Sequence, residues 1–245
     1  VFTKNRENLL KKLEDNSLLV LFAGEAKRKT ADEYFQFTPN RNFYYLTGVD
    51  EEKHILMIKK INGVVDEVLY ILKPNLEQER WTGKTIRDYE AKEVSGIENI
   101  KYLEEFKSDL NMIFTNGIAE NLYLDLERVS FNEEMSKSQS FAKEVKERYP
   151  QIVIKDVYSD IASLRQIKCK EEVEEIKKAA HITAKGVELL MKECKPGMKE
   201  YELEAYFDFY LKQNGVKDYA FKTIAAAGVN AATLHYVDNN SEIKD

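Results

Sequence analysis

Cysteine and histidine are scarce in this chain of 245 residues. It has two cysteines, Cys169 and Cys194, and three histidines, His54, His181 and His235. With no C-x-x-C pair, a disulfide framework, a zinc ribbon and a redox dithiol are all excluded. Two separated thiols point to a reducing compartment, read here as the cytoplasm. The histidines are too dispersed for an H-E-x-x-H zinc helix, and no G-x-S-x-G elbow is present. No apolar run approaches the ~20 residues that span a bilayer. The first residues, VFTKNRENLLKKLEDN, are charged throughout and lack a signal-peptide core. Positive charge is in deficit, 37 Lys and Arg against 43 Asp and Glu, for a net charge of −6 at pH 7. That balance excludes the basic face of a general nucleic-acid binder and a polybasic membrane anchor. Repeats and low-complexity tracts are absent.

What is present is core-forming material, with 43% apolar residues beside 33% charged ones. Leu9, Leu10 and Leu13 share one face of a charged helix near the start. SLLVLFAG (17–24) reads as a buried strand ending on Gly24, and residues 25–40 as a polar loop. FYYLTG (43–48) is aromatic and β-rich and reads as a strand closed by Gly48. Residues 54–73 read as two strands joined at Asn62-Gly63, a strong short hairpin signal. Helical periodicity marks 86–95, 103–115 and 131–148, and strands are expected at 121–127 and 152–157. This mixture predicts a layered α/β domain over 1–157.

A second domain, 158–245, is expected to differ. Val173, Ile176, Ala180, Thr183, Val187, Leu190 and Cys194 form one stripe on a long helix over 171–194, which Pro196-Gly197 stop. A second helix, 200–214, carries Leu203, Phe207, Tyr210 and Leu211 on one face, with Tyr206 and Phe209 beside it. KTIAAAG (222–228) reads as a strand or edge segment. Two helices and one strand leave apolar faces poorly covered.

Few residues suggest chemistry unaided. WTGKT (81–85) ends like a phosphate-binding loop, but that loop needs a glycine where Gln78 stands. Cys194, on the core stripe, reads as a buried structural thiol. The many paired acids read as solvated helix faces. His54 opens a strand and His181 lies beside the stripe, so both read as ordinary. On these grounds alone no reaction is indicated.

Five stretches in order carry a resemblance. PNRNFYYLTGVDE (39–51), EQERWTGKTI (77–86), LRQIKCKEEVEEIKKAAHIT (164–183), KPGMKEYELEA (195–205) and FKTIAAAGVNAATLHY (221–236) together resemble the aminopeptidase P, prolidase and creatinase family of pita-bread metallopeptidases. The resemblance implies an N-terminal mixed-sheet α/β domain of creatinase type, followed by the start of an α+β pita-bread catalytic domain. In that family two divalent ions, usually manganese or cobalt, are held by two aspartates, a histidine and two glutamates, all of which follow the L-H-Y histidine. The chain is accordingly expected to be an N-terminal piece of a larger enzyme, to contain no metal ligand and to be inactive alone.

The resemblance further implies that His235 faces substrate as a catalytic and binding residue. Phe221 would line the same pocket, or else be a core aromatic. Trp81 would reach toward a neighbouring subunit's site, or else be a half-buried surface aromatic. The implied parent removes an N-terminal residue ahead of proline, works with two divalent ions (manganese first) and forms a dimer or tetramer. A dipeptide-cleaving prolidase is the near alternative, and a peptidase-like binding module is an alternative of another class. Calorimetric titration of this chain with Mn²⁺ should show no tight two-site binding. Two micromolar sites would overturn the expectation.

Overall fold

A computed structural model describes residues 1–244 of the chain, which divides into two compact units, Val1–Ile167 and Lys168–Asp245. The first unit begins with α1 (Phe2–Leu10) and β1 (Ser17–Phe22), then a small sheet of β2 (Arg28–Thr30) and β3 (Glu33–Tyr34) inside the expected loop. There follow α2 (Arg41–Thr47), β4 (Ile55–Ile61), β5 (Val64–Ile71), α3 (Leu76–Thr82), α4 (Asp88–Ser95) and β6 (Asn99–Tyr102). It closes with α5 (Leu103–Thr115), β7 (Asn121–Leu124), α6 (Lys137–Arg148), β8 (Val153–Asp156) and α7 (Tyr158–Gln166).

The main sheet has the order β6-β5-β4-β1-β7-β8. β4 runs antiparallel to both β1 and β5, and the other neighbours are parallel, so the sheet is mixed as expected. The β4–β5 turn falls on Asn62 and Gly63, with φ of 51° and 75°, the left-handed pair that a two-residue hairpin requires. Every residue of β1 is buried. Leu19, Leu21 and Ala23 join one core with α1, α2 and α7, while Leu18, Val20 and Phe22 join a second with α5 and α6. Two covered faces make a three-layer α/β unit.

Residues 41–47 are helix α2, not the expected strand. The Asn40 side chain accepts from the amides of Asn42 and Phe43, both at 2.9 Å, so an N-cap starts the helix despite its aromatic content. Gly48 ends it at a φ of 71°, and a Cβ there would overlap the Phe2 ring. The asparagines of the N-R-N stretch also hold the buried Asp125, through Nδ2 of Asn40 at 3.1 Å and of Asn42 at 2.9 Å. Arg165 of α7 donates to Asn42 Oδ1 at 2.7 Å. This signature is therefore structural, tying α2 to the end of β7 and to α7. Whereas the sequence suggests a boundary near 157, the first unit continues to Ile167, because Val157 and Ile161 are fully buried in its core.

The second unit has α8 (Lys170–Glu193), α9 (Glu200–Gln213) and one 3-10 turn (Gly228–Ala232). The expected strand at 222–228 is irregular. Its Ala225 and Ala227 amides bond to side chains, Asn239 Oδ1 at 3.0 Å and Glu200 Oε1 at 2.7 Å, and so do not join a strand ladder. Cys194 is exposed, not buried, and so is much of the α8 stripe: Ile176 is 53% and Val187 45% accessible. Gly186 is the one buried residue of α8. A Cβ there would overlap the Phe207 ring of α9.

Gly186→Ala therefore sets two effects against each other. Helix propensity favours alanine by ~1 kcal/mol, and overpacking costs ~1–3 kcal/mol. The variant should melt below wild type in calorimetry. A higher melting temperature would mean that Phe207 yields at little cost.

Candidate functional site

α9 begins at a short backbone bridge. Gly197 N donates to Ile243 O and Ile243 N to Met198 O, both at 2.8 Å, and Glu200 N donates to Ser241 O at 3.0 Å. Glu200, on the first turn of α9, is 1% exposed. Its Oε1 accepts from Ala227 N at 2.7 Å and Asn230 Nδ2 at 3.1 Å. Its Oε2 accepts from the Tyr236 hydroxyl at 2.7 Å and Ser241 N at 2.9 Å. Burial alone would raise the carboxyl's pKa, but the donors from Ala227, Tyr236, Ser241 and Asn230 outweigh it and hold the group at about 2. One turn on, Glu204 accepts from Asn239 Nδ2 at 2.8 Å. The buried Asn239 also donates to Thr223 O at 2.9 Å and accepts from Ala225 N.

Glu200 and Glu204 are the first and last of the three glutamates in the K-P-G-M-K-E-Y-E-L-E stretch. One helix face thus grips an irregular segment at both ends, and the segment between them presents His235. Tyr236 turns inward to Glu200, whereas His235 is exposed with a φ of 58°. Among the described residues its imidazole has no hydrogen-bond partner, so both ring nitrogens are open to a ligand. Phe221, 75% exposed, lies on the same irregular segment. Trp81 belongs to the first unit, on α3, and is 87% exposed, not half-buried. Sequence alone does not single out Glu200, Glu204, Tyr236 or Asn239. The one available signal was the pair of acids one helical turn apart inside a recognised stretch.

The other histidines differ. His54 is fully buried, its Nδ1 2.7 Å from Glu52 O, and burial lowers its pKa and keeps it neutral. His181 is exposed on α8. Among the described residues no three His, Cys, Asp or Glu side chains are placed to hold a metal ion. They do not fit a two-ion centre by themselves.

Glu200 gives a pH signature. Its folded pKa lies below the ordinary 4.5, so its stabilising effect is complete above that value and is lost as pH falls from there through about 2. Protection of the Ala227 and Ser241 amides, relative to their intrinsic exchange at the same pH, should fall across this window. In Glu200→Gln the same amides should exchange quickly even at neutral pH. Unchanged protection in that variant would remove Glu200 from its role.

Two family models match in order: aminopeptidase P, N-terminal domain, over residues 2–123, and metallopeptidase family M24, over 174–245. The Xaa-Pro aminopeptidase of Escherichia coli K12 is 26% identical over all of this chain, which covers 56% of that protein. The Xaa-Pro aminopeptidase of Haemophilus influenzae is also 26% identical, with 54% of its length covered. The chain thus spans little more than half of these curated relatives. Among solved structures, a Bacillus anthracis protein assigned as an aminopeptidase P superposes with a TM-score of 0.96 at 45% identity, over 99% of this chain and 58% of its own. The E. coli aminopeptidase P superposes at 0.87 with 24% identity, over all of this chain and 56% of its own, a likeness of fold. The chain belongs to the M24 metallopeptidases of aminopeptidase P type.

Proposed function

We propose that this chain forms the N-terminal domain and the first part of the catalytic domain of a Xaa-Pro aminopeptidase. The substrates are peptides with proline in second position, from which the first residue is released. The observation that carries the reading is the 45% identity to the Bacillus anthracis protein, sustained over 99% of this chain. The names borne by the curated relatives favour an aminopeptidase over a prolidase. A metallopeptidase family supplies the supporting argument for two divalent ions, manganese first, held by residues other than those described here. Assembly as a dimer or tetramer in the cytoplasm belongs to the same proposal, as does Trp81 reaching toward a neighbouring subunit's site.

His235 is the substrate-facing residue in this reading, with Phe221 lining the same pocket. An imidazole held outward by the Tyr236–Glu200 contact can donate one hydrogen bond to the carbonyl oxygen of the scissile peptide, where negative charge builds during attack. Chain segments gripped at both ends keep that donor in place before substrate arrives, which lowers the cost of ordering it later.

In the full-length protein, His235→Ala should retain its metal content and fold yet lose turnover by ~10²–10⁴, the usual effect of removing a positioned acid–base or oxyanion partner. Metal analysis and steady-state kinetics on one preparation check this. Loss of an ion would make His235 a ligand, and unchanged turnover would leave the segment a structural turn.

A further inference from the structure

Trp81 stands on a helix that buries nothing. No residue of α3 is buried, and six of its seven residues are exposed. Only Glu79 is partly covered, its side chain 11% accessible. An amphipathic helix is normally held by its apolar stripe, so α3 must be held by something else.

Its attachments are polar. Asn75 caps the first turn, accepting from Glu77 N at 3.0 Å and Gln78 N at 3.2 Å. In the middle of the helix Glu79 receives a two-pronged contact from Arg87, Nη1 to Oε1 at 2.5 Å and Nη2 to Oε2 at 2.8 Å. Thr85 adds its hydroxyl at 3.0 Å and its amide at 3.3 Å to the same Oε1. Arg87 is itself fixed to the body of the unit. Its amide donates to Glu90 at 2.8 Å, and the neighbouring Ile86 amide donates to both oxygens of Glu51, at 2.9 and 3.1 Å. Ile86 packs on the core. A continuous path therefore runs from the core through Ile86 and Arg87 to Glu79, half a turn before Trp81. Two-pronged guanidinium–carboxylate pairs fix orientation as well as distance.

We propose that the Glu79–Arg87 clasp positions Trp81, setting the direction in which α3 presents its indole. Both are positioning residues, and neither touches substrate. The consequence for turnover rests on the reading of Trp81 as reaching a neighbouring subunit's site. The clasp itself does not.

Trp81 is the single tryptophan of this chain, so its fluorescence reports on α3 alone. In time-resolved anisotropy, Glu79→Gln and Arg87→Met should each enlarge the fast depolarising component severalfold. The melting temperature should stay within about 2 °C of wild type, as for surface changes that open no core. Glu79→Arg and Arg87→Glu should behave likewise, and combining them should restore slow depolarisation. Unchanged anisotropy in the single variants, or a clear fall in melting temperature with it, would overturn the proposal.

Kinetics on the full-length protein separate the two claims. Glu79→Gln should lower kcat/KM in the direction of Trp81→Ala, and the double variant should be no worse than Trp81→Ala alone. If Trp81→Ala is impaired while Glu79→Gln is not, the clasp is not the positioning device and the proposal fails. If the clasp variants free the indole but Trp81→Ala has normal kinetics, the positioning stands and the cross-subunit reading of Trp81 falls.

Discussion

The first unit depends on one requirement, that β1 be covered on both faces. Leu18, Leu19, Val20 and Leu21 are each fully inaccessible, and a strand with apolar residues on both faces cannot lie at an edge or on a solvated sheet. It must be central, with strands on both sides and helices above and below. The order β6-β5-β4-β1-β7-β8 and the two separate cores are the arrangement that satisfies this. The antiparallel β4–β5 hairpin supplies one flank through a local turn, and the parallel β7 and β8 arrive on the other by helical crossovers.

Where local punctuation was strong, the sequence was readable. Asn62-Gly63 located the hairpin, and α5 spans Leu103–Thr115, as its periodicity indicated. α2 was misread because Phe43, Tyr44 and Tyr45 suggest a strand, while the features that decide its structure are the Asn40 cap and Gly48 at its two ends. Residues 222–228 were misread for a different reason. The Ala225 and Ala227 amides are satisfied by side chains from residues 239 and 200, and no local pattern announces such distant partners. Cys194 shows the limit of periodicity, which identifies a stripe but not what covers it. The roles of His235 and Trp81 follow only from resemblance to known sequences; composition and spacing assign neither.

The two units rely on different forces to fix what they present. In the first, apolar burial fixes the sheet, and polar contacts attach the peripheral α3 that presents Trp81. In the second, the segment carrying His235 has little buried apolar surface, and its position follows from carboxylates that satisfy backbone amides. Polar attachment of this kind is directional and intolerant of substitution, because removing one carboxylate leaves several buried donors unpaired. Glu200 alone serves four.

Arg6 is fully buried in α1, its guanidinium bonded to Glu67 at 2.9 Å and to the carbonyls of Leu46 at 2.8 Å and Ser95 at 2.9 Å. A buried charge is tolerable only when such partners are in place. The ribosome makes Arg6 first and Ser95 long afterwards, and domains generally assemble as units as they emerge. Helix α1 must therefore wait with its arginine hydrated while its three anchor points, all later in the sequence, are synthesised. A segment translated before its partners is locked only after them, so order of synthesis and order of folding run in opposite directions around Arg6.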